Sequence, residues 1–189
     1  IIASYKPELT TRILLCAHWD CRPWADNDPD STNWRKPVMG ANDAASGVAV
    51  MLEVARLIQK ADSLQMGVDF VCFAAEDWGV GGTGARFYQE GFSKQYALNI
   101  VDKVWKAAEV AGYESLFPKA EGGYITDDHG PVNEKARIPT IDIIAYYPNC
   151  QQSSFGPTWH TVTDTMDNID KNSLKAVGQT VIQVLFSEK

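Results

Sequence analysis

What the chain lacks narrows its function first. Its 189 residues carry 17 Lys and Arg against 24 Asp and Glu, a formal charge of −7. That leaves no basic surplus from which to build a face for nucleic acid or anionic lipid. No apolar run approaches the roughly 18 residues of a helical membrane span. No linker, repeat or low-complexity tract interrupts the chain. At 45% hydrophobic and 11% aromatic residues, it can bury a full core and reads as one domain over 1–189. Cysteine is scarce, with four in all: Cys16 and Cys72 lie in apolar runs, where cysteine acts as a small apolar residue, and Cys21 and Cys150 lie in loops.

The apolar runs that are present alternate with helical patterns. RILLCA (12–17), VDFVCFA (68–74) and TIDIIA (140–145) are short enough and apolar enough for buried parallel strands. Val50, Val54, Leu57 and Ile58 share one face of a helix that Asn42 or Asp43 is placed to cap. Ile100, Val104 and Ala108 mark a second helix that begins near Ser93 and stops at Gly112. Leu174, Val177, Val181 and Val184 mark a third, with Asp170 near its start. The expected fold class is α/β, a three-layer α/β/α sandwich around a mostly parallel sheet.

One more absence breaks the alternation. After Glu76-Asp77 the chain runs through GVGGTGARFYQEGFS to the second helix without an apolar run for the next strand. Parallel strands need a crossover of a dozen or more residues between them. The expectation is that a segment is missing from the chain near Val80-Gly81.

Polar clusters sit where apolar runs stop: Asp20 in AHWD, Asp43 in GANDAASG, Glu76-Asp77 in FAAEDWG, Asp127-Asp128-His129 in TDDH, and His160 in TWHT. Each alone has a plain structural explanation. Asp43 can cap a helix, Glu76-Asp77 can sit solvated in a turn, Asp127-Asp128-His129 can form a turn before Pro131, and a loop histidine can simply be hydrogen-bonded. Together they imply more, because the carboxyl ends of strands in an open α/β sheet line one crevice. Carboxylates with histidine suit zinc. A catalytic zinc keeps three protein ligands and an open position; Asp43, Asp77 and His160 provide two oxygens and a nitrogen. Glu76 is adjacent to a ligand but directed elsewhere, which suits a general acid or base.

LLCAHWDCRPWADNDPD, GANDAASGVAVMLEVAR, FAAEDWG, GGYITDDHGPVN, IPTIDIIAYYP and FGPTWHTVTDTMDNID occur in an order that resembles the bacterial members of the animal-type (type II) glutaminyl cyclases, which share the zinc aminopeptidase fold. The resemblance spans nearly the whole chain. It implies one zinc on Asp43, Asp77 and His160, and Glu76 as the proton-transferring residue. It also implies Asp127 in the supporting hydrogen-bond network and Trp159 and Phe155 as walls of the substrate pocket. The family often carries glutamate at the position of Asp77. It also has a long loop and a strand ending in a further aspartate after the Glu-Asp pair, which this chain does not match.

The activity implied is cyclisation of the N-terminal glutamine of peptides or proteins to pyroglutamate with loss of ammonia. A two-zinc aminopeptidase is the alternative, with His18 and the absent aspartate on the second ion. Asp127, where those enzymes usually have serine, and Trp159 before His160 speak against it. A non-catalytic binding domain follows only if the missing segment is truly deleted. Bacterial relatives of this kind are commonly exported, so a periplasmic or envelope location is the expectation.

Overall fold

A computed structural model describes residues 1–61, 63–74 and 86–188. It is an α/β fold around a small mixed sheet. Strand β1 (Ile2–Tyr5), β2 (Arg12–His18) and β3 (Gly67–Phe73) lie in the order β1-β3-β2. β3 pairs in parallel with β2, from Arg12 opposite Gly67 to His18 opposite Phe73, and antiparallel with β1. Both parallel strands therefore end on one side, which puts His18 and Asp20 at the crevice. β1, which the apolar pattern does not predict, leaves Ile2 75% exposed; its place depends on pairing with β3. Arg12 grips Asp69 from the neighbouring strand with two hydrogen bonds of 2.7 and 2.6 Å. That bond and a third from Ser4 hold the Asp69 carboxyl down at about 2.

Helix α1 (Gly47–Ile58) crosses from β2 to β3 and buries Met51, Val54 and Ile58 against Leu64, Met66, Val68 and Phe70. Leu57, expected on that face, is 39% exposed, because the buried stripe runs through Met51 instead. Helix α2 (Gly91–Val110) builds a second cluster from Val101, Val104, Trp105 and Ala108 with Phe87 and Phe117. It stops at Gly112, whose φ of 84° suits the left-handed residue that closes a helix. Helix α3 (Lys171–Ser187) starts on an Asp170 cap that accepts from the amides of Asn172 and Ser173. It joins the clusters, giving Leu185 to the first and Ala176 to the second.

Two expectations fail. Among the described residues, 140–145 forms no strand ladder; its one pairing is a bridge between Ala145 and Phe87. β2, expected to be buried, is half-exposed at every position. The reason is common to both: among the described residues β2 is a sheet edge, and no strand lies against the 140–145 run to complete its hydrogen bonds.

Candidate functional site

Asp43 does not cap α1. The helix begins after Ser46 with no side-chain cap, and Asp43 sits before it in a π-type turn, Ala41–Ser46, with non-helical φ −106° and ψ 87°. Gly40 makes the turn possible: its φ is 65°, and a Cβ there would meet Cys21 Cβ at 2.4 Å and the Asp43 carbonyl oxygen at 2.6 Å. Asp164, 1% exposed, accepts from the amides of Asn42 (2.9 Å) and Asp43 (3.2 Å). The Asp43 carboxylate is thereby released from capping and turned to the crevice.

There it lies between two imidazoles. Oδ1 is 3.2 Å from His18 Nε2 and Oδ2 is 3.6 Å from His160 Nε2. His160 is 2% exposed and has φ 52°, a left-handed conformation uncommon outside glycine that concentrates at functional sites. Its loop is pinned from the opposite side of the site. Asn27 donates from its side chain to the Trp159 carbonyl (3.1 Å) and from its backbone to the His160 carbonyl (3.2 Å), and Asp28 accepts from the Val162 amide (3.1 Å). Trp159 stacks on the His160 ring, centroids 4.0 Å apart, and Phe155 lies 5.6 Å from Trp159 at 53°. The Trp159 indole nitrogen is buried and has no hydrogen-bond acceptor among the described residues.

The acidic loop completes the crevice. Asp128 donates its amide to Asp127 Oδ1 at 2.5 Å. Burial raises the Asp127 carboxyl, and Asp43 raises it further while His129 and His18 lower it. Burial also drives Asp128 up to about 6, reinforced by the charge of Asp127. Cys16 on β2 is pushed to about 12 by burial and by Asp128, Asp142 and Asp127, so that thiol is an inert core group. His129 turns away from Asp43. Its Nε2 is 3.1 Å from Glu90 Oε2 and its Nδ1 3.9 Å from Asp142 Oδ2.

Zinc fits the Asp43 side of this arrangement. Asp43 Oδ2 is buried and accepts no hydrogen bond from the described residues. Its 3.6 Å separation from His160 Nε2 is near the roughly 3.3 Å expected of two atoms sharing one tetrahedral ion. Asp127, His129 and Asp142 also bring ligand atoms within 4.8 Å of one another. Glu76 and Asp77 lie outside the described residues. Of the other predicted site residues, the fold brings Asp43 and His160 together, with Trp159 and Phe155 beside His160 and Asp127 within electrostatic reach of Asp43. Sequence reasoning missed Asp164, Asn27, Glu90 and Asp142. Asp164, Asn27 and Asp142 all lie in strings that carry the family resemblance, whereas Glu90 lies in none of them.

Carboxylate and imidazole groups beyond parallel strand ends, next to an aromatic wall, define an α/β domain with a set of side chains of the kind that could hold a metal ion. The model of peptidase family M28 matches residues 1–103 and 89–185, and the chain belongs to that family. The structure is similar to Bacteroides thetaiotaomicron glutaminyl cyclase bound to N-acetylhistamine, with 45% identity and a TM-score of 0.92, covering 100% of this chain and 77% of that one. It is also similar to Tannerella forsythia glutaminyl cyclase, with 43% identity and a TM-score of 0.94, covering 100% of this chain and 77% of that one. Aminopeptidase YwaD of Bacillus subtilis is 26% identical over 205 residues, matching 92% of this chain; the match spans 40% of that protein's length.

Proposed function

We propose that this chain is a zinc-dependent glutaminyl-peptide cyclotransferase that converts the N-terminal glutamine of peptides or proteins to pyroglutamate and releases ammonia. The observation that carries this reading is the Asp43–His160 pair set directly behind Trp159, whose buried indole N–H meets no acceptor among the described residues. Similarity to two glutaminyl cyclases over the whole chain supports it.

In this reaction the α-nitrogen lone pair attacks the side-chain amide carbon, the bond to the amide nitrogen breaks, and a proton moves from the amine to the departing ammonia. Asp43, His160 and Asp77 would hold the zinc, which when bound would supply Lewis-acid polarisation of the amide carbonyl. Trp159 and Phe155 flank the flat, uncharged carboxamide, and the Trp159 indole N–H donates to substrate oxygen. Glu76 carries the proton between the two nitrogens. Asp127, half-buried within electrostatic reach of Asp43, orients the attacking amine, so the reaction starts from a near-attack geometry.

The test is incubation of a peptide with N-terminal glutamine with full-length protein that includes any segment absent near Val80-Gly81. Ammonia should be released and the peptide should resist Edman degradation, while a leucine anilide stays uncut. Free leucine without ammonia overturns the assignment.

A specific observation favours a second reading. Asp43 has one oxygen toward His18 and the other toward His160, the disposition of a carboxylate that bridges two ions in a hydrolase. A two-zinc aminopeptidase follows if elemental analysis finds two tightly held zinc ions per chain.

The finer architecture belongs to the same reading. We infer one domain over 1–189, a three-layer α/β/α sandwich around a mostly parallel sheet. An envelope or periplasmic location goes with the bacterial cyclases it resembles. Among the described residues no helix is long and apolar enough to cross a membrane.

A further inference from the structure

Glu90 is an unusual residue for the helix cap it forms. It caps α2, accepting from the amides of Phe92 (2.8 Å) and Ser93 (2.6 Å), a task for which Asp, Asn, Ser and Thr are the usual residues. It is also a carboxylate only 1% exposed, and burying a charge is costly unless it is paired and hydrogen-bonded. Capping uses two of its contacts. The extra methylene carries the same carboxylate across to the acidic loop, where Oε1 accepts from the Ile125 amide at 3.0 Å and Oε2 lies 3.1 Å from His129 Nε2.

Those two contacts bracket Asp127-Asp128 on both sides. The same helix start also holds Asp142, whose amide donates to Ser93 Oγ at 2.9 Å. Beyond the loop, Asn133 donates to the carbonyl of His129 and accepts from the Thr140 amide. Glu90 is thus tied to the acidic loop twice, from a rigid helix terminus.

We propose that Glu90, acting through the Ile125 amide and the His129 ring, is the positioning residue that fixes Asp127 in the site. This rests on the reading that Asp127 works in the site. Glu90 touches no substrate; it sets where the Asp127 carboxylate points, and a misplacement of about 1 Å at such a group costs on the order of 10²-fold in rate.

The discriminating variant is Glu90→Asp, which keeps the charge and the cap but is one methylene too short to reach Ile125 and His129. The expected result is a folded protein with unchanged zinc content, KM within about twofold, kcat lower by about 10- to 100-fold, and faster amide exchange at Ile125. His129→Gln should give a similar kcat loss, and the double variant Glu90→Asp/His129→Gln little more than either alone, because the two act as one unit. Wild-type kcat in Glu90→Asp, or a loss that only tracks the folded fraction, reduces Glu90 to a helix cap and overturns the proposal. So does the loss of a bound metal ion in His129→Gln, which makes His129 a ligand.

Turnover is read on whichever substrate the wild type processes. Absence of ammonia release by the wild type therefore defeats the cyclase reading, whereas Ile125 exchange unchanged in Glu90→Asp defeats this proposal separately. If Glu90→Asp does not fold, His129→Gln decides: wild-type kcat there overturns the proposal.

Discussion

Asp164 accepts from the backbone amide of Asp43 at 3.2 Å, across 121 residues of chain, and so aims the Asp43 carboxylate at His160. A carboxylate that would otherwise cap α1 is redirected into the crevice by a second carboxylate that never faces it.

That relationship predicts two distinct metal phenotypes. Asp43→Ala should abolish zinc binding and activity together. Asp164→Asn should keep the fold but weaken zinc binding by about 10- to 100-fold, the usual effect of losing an outer partner. Zinc titration with a competing chelator measures both. Equal affinity in Asp164→Asn and wild type would show that the π-type turn holds Asp43 unaided.

Glu76 and Asp77 should separate by role. Glu76→Gln should retain about one zinc while turnover falls by about 10²- to 10⁴-fold, the contribution of a positioned proton-transfer group. Asp77→Ala should lose metal and activity together. Equal metal loss in both variants would mean that the two roles are exchanged.

Trp159→Phe keeps an aromatic wall and removes the indole N–H. KM for a glutamine peptide should rise by roughly tenfold, about 1.4 kcal/mol, with zinc content unchanged. Steady-state kinetics check this, and an unchanged KM would place the substrate away from Trp159.

Asp128 should make the metal-free protein less stable as pH rises. Its carboxyl is raised to about 6 by burial and by Asp127, against an unfolded value of about 3.9. Between these values the folded chain keeps a proton that the unfolded chain has released. The contribution is therefore full below about pH 4 and lost as pH climbs through about 6. Asp128→Asn should remove this slope and raise stability at pH 8 by about 1–2 kcal/mol, the roughly 3 kcal/mol that two pH units represent reduced by solvent screening at a half-buried group. Urea denaturation at pH 4 and pH 8 tests it; a wild-type slope retained in Asp128→Asn assigns the proton elsewhere.

Periodicity along the chain determined the elements whose contacts are local. β2, α1, β3, α2 and α3 are legible in apolar spacing, and Gly112 and Asp170 mark ends where the signal is a single residue. Asp43 and His160 were legible as ligand types at the ends of such elements. The tertiary structure decided whatever depends on a distant partner. β1 exists through β3, and 140–145 lacks a ladder because no described strand meets it. Asp43 leaves its capping role because Asp164 arrives from the other end of the chain, and Glu90 reaches the acidic loop 35 residues on. Side-chain spacing encodes which face of an element is apolar. It does not encode which buried carboxylate will meet which amide, because that pairing exists only once separate elements have packed and excluded water.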